Sequence, residues 1–132
     1  MSGAAQPHGS GRKYEITAVS NPRIKGIRAL ARKKHRDETG LFLVEGQKLV
    51  HDAFDAGWSV DTLVFSKGRE TREAVGELAN RVQARGGDVL EVNDKVLTSI
   101  TRKDNPQMVL GVIRQKWAHH RPLPEHGLPV HP

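Results

Sequence analysis

The sequence predicts a three-layer α/β sandwich with a four-stranded central sheet that is largely parallel or mixed. Short apolar runs alternate along the chain with segments whose apolar residues recur at helical spacing, and Gly, Asn or Pro separate them. This alternation is typical of crossover connections, which place helices on both faces of a sheet. A length of 132 residues and a hydrophobic content of 36% allow one modest core and are too small for two ordinary domains.

The first predicted helix begins at Pro22, since Ser20 and Asn21 are possible N-cap residues and proline suits the first helical position. An apolar stripe extends it to about Lys34. The apolar run at residues 41–44 is the first predicted strand. The other expected elements are helices at residues 47–56 and 69–85, a short helix capped by Asp94, and strands at residues 60–66, 88–92 and 108–113.

Both ends of the chain differ in composition from the predicted domain, which spans residues 14–116. Residues 1–13 are rich in Gly, Ser and Ala and are expected to form a disordered leader. Residues 117–132 are rich in Pro and His and are typical of an interdomain linker. The His-rich tail is not expected to hold a metal, because such a segment offers no rigid coordination geometry.

Positive charge is concentrated near the start of the domain. Residues 12–36 contain nine Lys or Arg and one acid, whereas the whole chain carries a net charge of +6. Such a cluster can neutralise several phosphates and release their counterions, so a polyanion is the expected partner. The alternative is a solvated basic face without a ligand.

The residue inventory also excludes several classes of site. The chain has no cysteine, so disulfides, thiolate metal sites and cysteine nucleophiles are ruled out, and a reducing compartment such as the cytoplasm is expected. No run of apolar residues is long enough to span a bilayer, and no membrane partner is expected. No arrangement of residues predicts a nucleophile with its base, so no catalytic residue is assigned.

Two blocks of the sequence resemble a known family. The first comprises SNPRIK (20–25), RKKHR (32–36) and GLFLVEG (40–46), and the second is DNPQ (104–107), which leads into the last apolar run. In order and spacing they resemble the N-terminal substrate-binding domain of the SpoU/TrmH family of RNA 2′-O-ribose methyltransferases, over about residues 14–116. Met108 departs from that pattern, since a small residue is common there in the family.

The resemblance implies a fold similar to that of kink-turn-binding ribosomal proteins, and a role in holding RNA, in the first place ribosomal RNA, for a separate catalytic domain. In the family that domain is C-terminal and binds S-adenosylmethionine. Nothing after Trp117 matches it, so this chain is expected to hold no cofactor and to be inactive alone. It is also expected to be monomeric, because family members pair through the catalytic domain.

Six cations of the basic segment are candidates for RNA contact. Lys25, Arg28 and Arg32 of the predicted helix share one sector at about 100° per residue with Arg36, which lies just past its expected end, and this would let them grip phosphates together. The neighbouring Lys33 and Lys34 would add long-range attraction.

Two loops supply the remaining candidates, which are Gly46, Lys48, Arg102, Lys103, Asn105 and Gln107. A glycine turn can bring backbone close to RNA, and Asn and Gln can read base edges. The alternative for each loop is ordinary turn chemistry. Aromatic residues are only 5% of the chain, so recognition of shape and phosphates is expected instead of base stacking.

Two other functions remain open. The chain could be a stand-alone RNA-binding protein of the kink-turn type without catalytic activity, or a domain whose basic surface binds an acidic protein. Salt-dependent binding to folded RNA separates the RNA-binding alternatives from the last one.

Overall fold

The computed structural model describes residues 11–103 and 106–115. In chain order these residues form β1 (Lys13–Ile16), α1 (Pro22–Ala29), α2 (Lys33–Thr39), β2 (Leu41–Glu45), α3 (Gln47–Asp55), β3 (Ser59–Ser66), α4 (Arg69–Ala84), β4 (Asp88–Val92), α5 (Asp94–Thr101) and β5 (Val109–Arg114). No helix in these ranges is both long enough and apolar enough to cross a membrane.

The strands form one mixed sheet in the order β1-β4-β3-β5-β2. β1, β4 and β3 are parallel, whereas β5 runs antiparallel to both of its neighbours, β3 and β2. The prediction of four strands was wrong, because β1 was not foreseen. Only Ile16 of this four-residue edge strand is buried, so its sequence carries too little alternation to reveal a strand, and its pairing with β4 is long-range.

The basic segment forms two helices, so the prediction of one helix from Pro22 to about Lys34 was also wrong. α1 ends in a tight turn in which Leu30, Ala31 and Arg32 each donate a backbone hydrogen bond to the residue three positions earlier. Arg32 is then extended, with φ −97° and ψ 133°. Burial explains the break, because Leu30 closes the apolar stripe of α1 whereas α2 has no buried residue to continue it.

Each face of the sheet carries its own apolar cluster. On one face, Ile24 and Ile27 of α1 and Leu97 of α5 pack against Val64 and other strand residues. On the opposite face, Val50 and Phe54 of α3 and Val75 and Val82 of α4 pack against strand residues that include Leu63 and Phe65. The alternation along β3 directs successive side chains to opposite clusters, which gives the expected helix layers on both sides of the sheet.

Most other predicted elements are confirmed to within one or two residues, with one correction at a helix cap. The side chain of Asn93, not Asp94, caps α5, since Asn93 Oδ1 accepts a hydrogen bond of 2.9 Å from the Val96 amide. Asp94 instead accepts a hydrogen bond from Ser66 Oγ at 3.2 Å. The cap fixes where α5 begins beside the carboxyl ends of β3 and β4.

Candidate nucleic-acid interface

The two helix layers differ strongly in charge. α1 and α2 with the residues between them contain seven Lys or Arg and two acids, and residues 94–103 add three Lys or Arg and one acid, so this α1/α2/α5 layer has a net charge of +7. Counted with the same margin of two residues after each helix, residues 47–57 and 69–86 of the α3/α4 layer contain five Lys or Arg and five acids, for a net charge of 0. The sequence shows one basic segment, whereas the fold adds the cations after α5 to the same side.

Three cations of α1, α2 and the residues between them are available to a ligand. Lys25, Arg32 and Lys34 are all exposed, and none of their side chains has a hydrogen-bond or ion-pair partner within residues 11–103 and 106–115. Lys33 is also exposed but pairs with Asp37 at 2.8 Å. Lys25, Arg32 and Lys34 are called the free cations below. Of the six cations that the sequence predicts to contact phosphates, these three make no hydrogen bond or ion pair within the described residues, whereas the other three do.

Two of the predicted phosphate ligands have a structural task. Arg28 Nη1 donates to the Val19 carbonyl oxygen at 3.1 Å and to Ser99 Oγ at 3.0 Å, which ties α1 to α5. Arg36 Nη1 donates to the Leu30 carbonyl oxygen at 2.9 Å, which ties α2 to the end of α1. Both contacts are partly buried, so these guanidinium groups contribute to the field of the layer but not as mobile phosphate ligands.

The two predicted loops converge on one place, here called the β2–β5 junction and defined as residues 45–49 together with residues 102–103 and 106–108. Lys103 Nζ donates to Glu45 Oε1 at 2.7 Å. The Gly46 amide donates to the Val109 carbonyl oxygen at 2.8 Å. A Cβ atom on Gly46 would lie 3.8 Å from Gln107 Oε1. Residues that are far apart in sequence therefore share one surface.

Backbone conformation at the junction depends on unusual dihedral angles. Gly46 has φ 111° and ψ 135°, a region that only glycine adopts readily. Arg102 ends α5 in the left-handed conformation, with φ 59°. These angles turn the chain sharply at both loops, and they bring Lys103 to Glu45 and Gln107 to Gly46. Asn105, the remaining candidate, lies outside the described residues.

Lys48 differs from the other junction candidates because it has an intrahelical partner. Its Nζ lies 3.1 Å from Asp52 Oδ2, and its side chain is largely exposed. The pairs Lys33–Asp37 and Lys48–Asp52 were not foreseen, although the spacing of four residues within a helix is the signal for such a pair. Exposed pairs of this kind are weak, so both lysines can exchange their carboxylate for a phosphate.

Ion pairs dominate the opposite side of the sheet. Glu91 is buried in β4 and accepts hydrogen bonds from Arg72 of α4. Hydrogen bonding and attraction to Lys67 lower the pKa of Glu15 below its usual value, and Glu15 in turn raises the pKa of Lys67. The same kind of contact with Glu91 raises the pKa of Arg72. Arg72 is paired with a buried carboxylate, so it is a poorer candidate for phosphate binding.

The described ranges contain no group of three or more His, Asp or Glu side chains that could hold a metal ion. The four histidines of the tail, at positions 119, 120, 126 and 131, lie outside those ranges.

Comparison with known proteins identifies the domain. A family profile described as the MRM3-like substrate binding domain matches residues 21–111. The chain is 39% identical over 56 residues to the mitochondrial rRNA methyltransferase 3 of Xenopus laevis, a stretch that covers 42% of this chain and 13% of that protein.

Solved structures give the same result. An rRNA methyltransferase from Sinorhizobium meliloti matches with a TM-score of 0.73 and 51% identity over 82% of this chain and 39% of that one. A structure described as an RNA 2′-O ribose methyltransferase matches with a TM-score of 0.61 and 30% identity, over 89% of this chain and 41% of that one. The chain thus spans less than half the length of the relatives it matches. It belongs to the MRM3-like substrate binding domains, within the SpoU/TrmH group of RNA methyltransferases that its sequence resembles.

Proposed function

We propose that this domain binds structured RNA, in the first place ribosomal RNA, through its α1/α2/α5 layer and positions one nucleotide for 2′-O-ribose methylation by a C-terminal catalytic domain. The observation that carries the proposal is the difference in charge between the two helix layers, +7 against 0. A one-sided positive field attracts a polyanion and orients it toward that side before contact.

The free cations supply the gripping groups in this proposal. Lys25, Arg32 and Lys34 can each pair with a phosphate without breaking an interaction that the described residues make. The junction lies at the end of the same layer, since α5 leads directly into it, and it adds Lys103 and Gln107. RNA held by both regions would be fixed in orientation as well as bound.

The names of the relatives support the substrate class and the chemistry. The Xenopus and Sinorhizobium proteins are rRNA methyltransferases, and one Sinorhizobium structure holds S-adenosylmethionine. That cofactor supplies the methyl group in the proposed reaction. The carboxyl ends of β1, β2 and β3 carry the ion pairs Glu15–Lys67 and Glu45–Lys103, and paired charges of this kind offer no apolar surface for an adenine ring. The proposal therefore assigns the cofactor to the catalytic domain and gives this chain the binding and orienting of RNA.

Three finer features complete the proposal. The fold binds RNA in the manner of kink-turn proteins, with RNA beside the loop after β2. The 132-residue chain is monomeric, and the longer protein pairs through its catalytic domain. The protein acts in the cytoplasm, although the Xenopus relative is named as mitochondrial.

The proposal is tested by reversing charge on each layer in turn. The triple variant Lys25→Glu, Arg32→Glu, Lys34→Glu is compared with a control, Arg69→Glu, Arg81→Glu, Arg85→Glu, which makes the same change in net charge on or beside α4. Binding to a folded ribosomal RNA fragment is measured by fluorescence anisotropy at several salt concentrations. The first variant is expected to bind about 100-fold or more weakly, whereas the control binds about tenfold more weakly at most. The slope of log affinity against log salt is expected to fall by about one unit for each phosphate that the variant no longer neutralises.

Equal effects of the two triple variants would show that only net charge matters and would overturn the assignment of the surface. Absence of salt-dependent RNA binding by the unaltered chain, together with binding to an acidic protein, would overturn the RNA function itself. Circular dichroism of each variant checks that the fold is intact. The side chains of the free cations have no hydrogen-bond or ion-pair partner among the described residues. The control removes the exposed pairs Arg69–Glu73 and Arg81–Asp55 and the contacts of Arg81 and Arg85 with the Phe54 ring, so its fold is checked before its binding is compared.

A further inference from the structure

One arginine near the start of α1 has its guanidinium group held over an aromatic ring. The Cζ atom of Arg23 lies 4.2 Å from the centroid of the Tyr14 ring. Its Nη1 donates to Asp88 Oδ2 at 2.8 Å, and its Nη2 donates to the Tyr14 hydroxyl oxygen at 3.1 Å. These three contacts fix the plane of the guanidinium group, although the Arg23 side chain remains 43% exposed.

The residues that hold Arg23 are themselves anchored. Asp88 Oδ1 accepts a hydrogen bond of 3.0 Å from the Arg12 amide, so both oxygens of this carboxylate have a donor. Tyr14 lies in β1 and packs against the apolar cluster shared by α1 and α5. The Arg23 amide donates to Asn21 Oδ1 at 2.8 Å, which fixes the start of α1. The guanidinium group is therefore preorganised, and a ligand that meets it does not have to immobilise a free side chain.

The contacts of Arg23 favour a flat ligand over a phosphate. Among the described residues they use one face and part of the edge of the guanidinium group, which leaves the opposite face for a second planar group. A phosphate would have to displace Asp88, whereas a stacked ring leaves the ion pair with Asp88 intact. Guanidinium planes stack on nucleobases as well as on aromatic side chains.

The surroundings of the Tyr14–Arg23 pair are open and positively charged. Gly26 lies one helical turn after Arg23, and a Cβ atom there would meet nothing within 4 Å. Arg12 is exposed and precedes Tyr14 by two residues, the spacing that places two side chains on one face of an extended chain. The Arg12 side chain makes no hydrogen bond or ion pair with the described residues. A polyanion that presents a flat ring complements both features.

We propose that Arg23, stacked on Tyr14, is a platform for one unpaired nucleobase of the RNA, with Arg12 on a phosphate beside it. This inference rests on the proposed RNA binding and adds a site at the β1 edge of the sheet, which is opposite the edge that holds the β2–β5 junction. Base faces inside a paired helix are covered by neighbouring pairs, so the base that stacks here is unpaired. Because the guanidinium group and not the ring meets the base, one such site is compatible with an aromatic content of 5%.

The α3/α4 layer contains a similar arginine that serves as a matched control. Arg81 Cζ lies 4.8 Å from the centroid of the Phe54 ring, and Arg81 Nη2 lies 3.4 Å from Asp55 Oδ1. Arg81 therefore resembles Arg23 in having an aromatic ring and a carboxylate as partners. It belongs to the layer without net charge, so it is not expected to meet the RNA.

The test uses two hairpin RNAs that share their paired region and carry a short unpaired tail of equal length. In one RNA the tail nucleotides have bases, and in the other they are abasic, so both RNAs present the same phosphates. Fluorescence anisotropy measures the affinity of the 132-residue chain, of Arg23→Lys and of the control Arg81→Lys for each RNA. Lysine keeps the positive charge and can still pair with a carboxylate, but it has no planar face.

The unaltered chain and Arg81→Lys are expected to bind the RNA with bases about tenfold more tightly than the abasic RNA. Arg23→Lys is expected to lose this preference, with affinities for the two RNAs that agree within about twofold. A preference that survives in Arg23→Lys, or equal affinity of the unaltered chain for both RNAs, would overturn the platform while leaving salt-dependent RNA binding intact. Failure of the unaltered chain to bind either RNA at low salt would overturn the proposed function and this inference with it.

Thermal unfolding checks that Arg23→Lys keeps the fold, and a second measurement needs no variant. Thiouridine is placed in the unpaired tail and crosslinked by light to the bound, unaltered chain, and mass spectrometry identifies the joined peptide. A crosslink within residues 12–23 is expected, because Arg12, Tyr14 and Arg23 surround the proposed base site. Crosslinks confined to other parts of the chain would contradict the platform.

Discussion

The α1/α2/α5 layer and the α3/α4 layer bury apolar clusters of equal size, with twelve buried residues each, but they treat charge in opposite ways. In the α3/α4 layer most cations have a carboxylate partner, as in Arg72–Glu91 and Arg81–Asp55. In the α1/α2/α5 layer the free cations lack one within the described residues. Since the cores are alike, folding does not require this difference.

This difference between the layers indicates which charges are available for function. Unpaired like charges on one surface repel each other and lower stability slightly, so their concentration has to be explained by something outside the fold. Exposed ion pairs contribute little to stability, so the α3/α4 layer would lose little stability without its exposed pairs. The free cations are therefore the part of the surface on which the proposed RNA binding depends most, and substitutions made in both layers test the contrast.

The largest effect on stability is expected from a glycine at the start of α3. Gly46→Ala places a Cβ on a residue with φ 111°, and we expect the free energy of unfolding to fall by about 2 kcal/mol. The matched change in the other layer is Gly26→Ala, inside α1, where a Cβ meets nothing within 4 Å. It is expected to raise the free energy of unfolding by about 0.5–1 kcal/mol. Urea unfolding measures both, and effects of the same sign would contradict the dihedral argument.

An intermediate effect is expected within the basic layer itself. Arg28→Ala removes the donor to Val19 and Ser99, and we expect a decrease of about 1–2 kcal/mol in unfolding free energy. Arg32→Ala is expected to change stability by less than about 0.5 kcal/mol and to weaken RNA binding instead. Chemical unfolding together with anisotropy separates the two roles. If Arg28→Ala proved as stable as the unaltered protein, its contact with α5 would not be structural.

The smallest effect belongs to the ion pair between β1 and the end of β3. The pKa of Glu15 is lowered from 4.5 by Lys67, so its stabilising contribution is present above pH 4.5 and is lost as the pH falls through the lowered value. Glu15→Gln is expected to lower the Tm slightly near neutral pH, with a difference that vanishes in acid. A difference that persists at a pH below the lowered pKa of Glu15 would indicate that packing, not charge, is responsible. Glu38→Gln is a suitable control, because that carboxylate has no ion-pair partner among residues 11–103 and 106–115.

The same ion pair also makes stability depend on pH in the alkaline range, because the pKa of Lys67 is raised. The pKa of Lys67 is raised above 10.5 by Glu15, so its contribution is present below pH 10.5 and is lost as the pH rises through the raised value. The Tm of the unaltered protein and that of Glu15→Gln should therefore converge at both ends of the pH range.

The sequence by itself was sufficient to predict the family and those helices and strands that carry a strong local pattern. β2 to β5 and α3 to α5 were foreseen because each carries its own apolar period and its own Gly, Asn or Pro boundary. The motifs around Pro22, Gly46 and Gln107 sufficed to identify the SpoU/TrmH substrate-binding domain, which the family match confirmed. The basic segment was likewise visible from composition.

Only the tertiary structure decided how these parts combine. Strand β1 gains its place by pairing with β4, and α1 ends at Ala29, where the next residue, Leu30, completes the apolar cluster shared with α5. Arg28 and Arg36 differ from the free cations because hydrogen bonds to Ser99 and Leu30 hold their guanidinium groups. The β2–β5 junction forms where Lys103 contacts Glu45, a residue 58 positions earlier in the sequence. Each of these features depends on residues distant in sequence, and local propensity carries no information about such contacts.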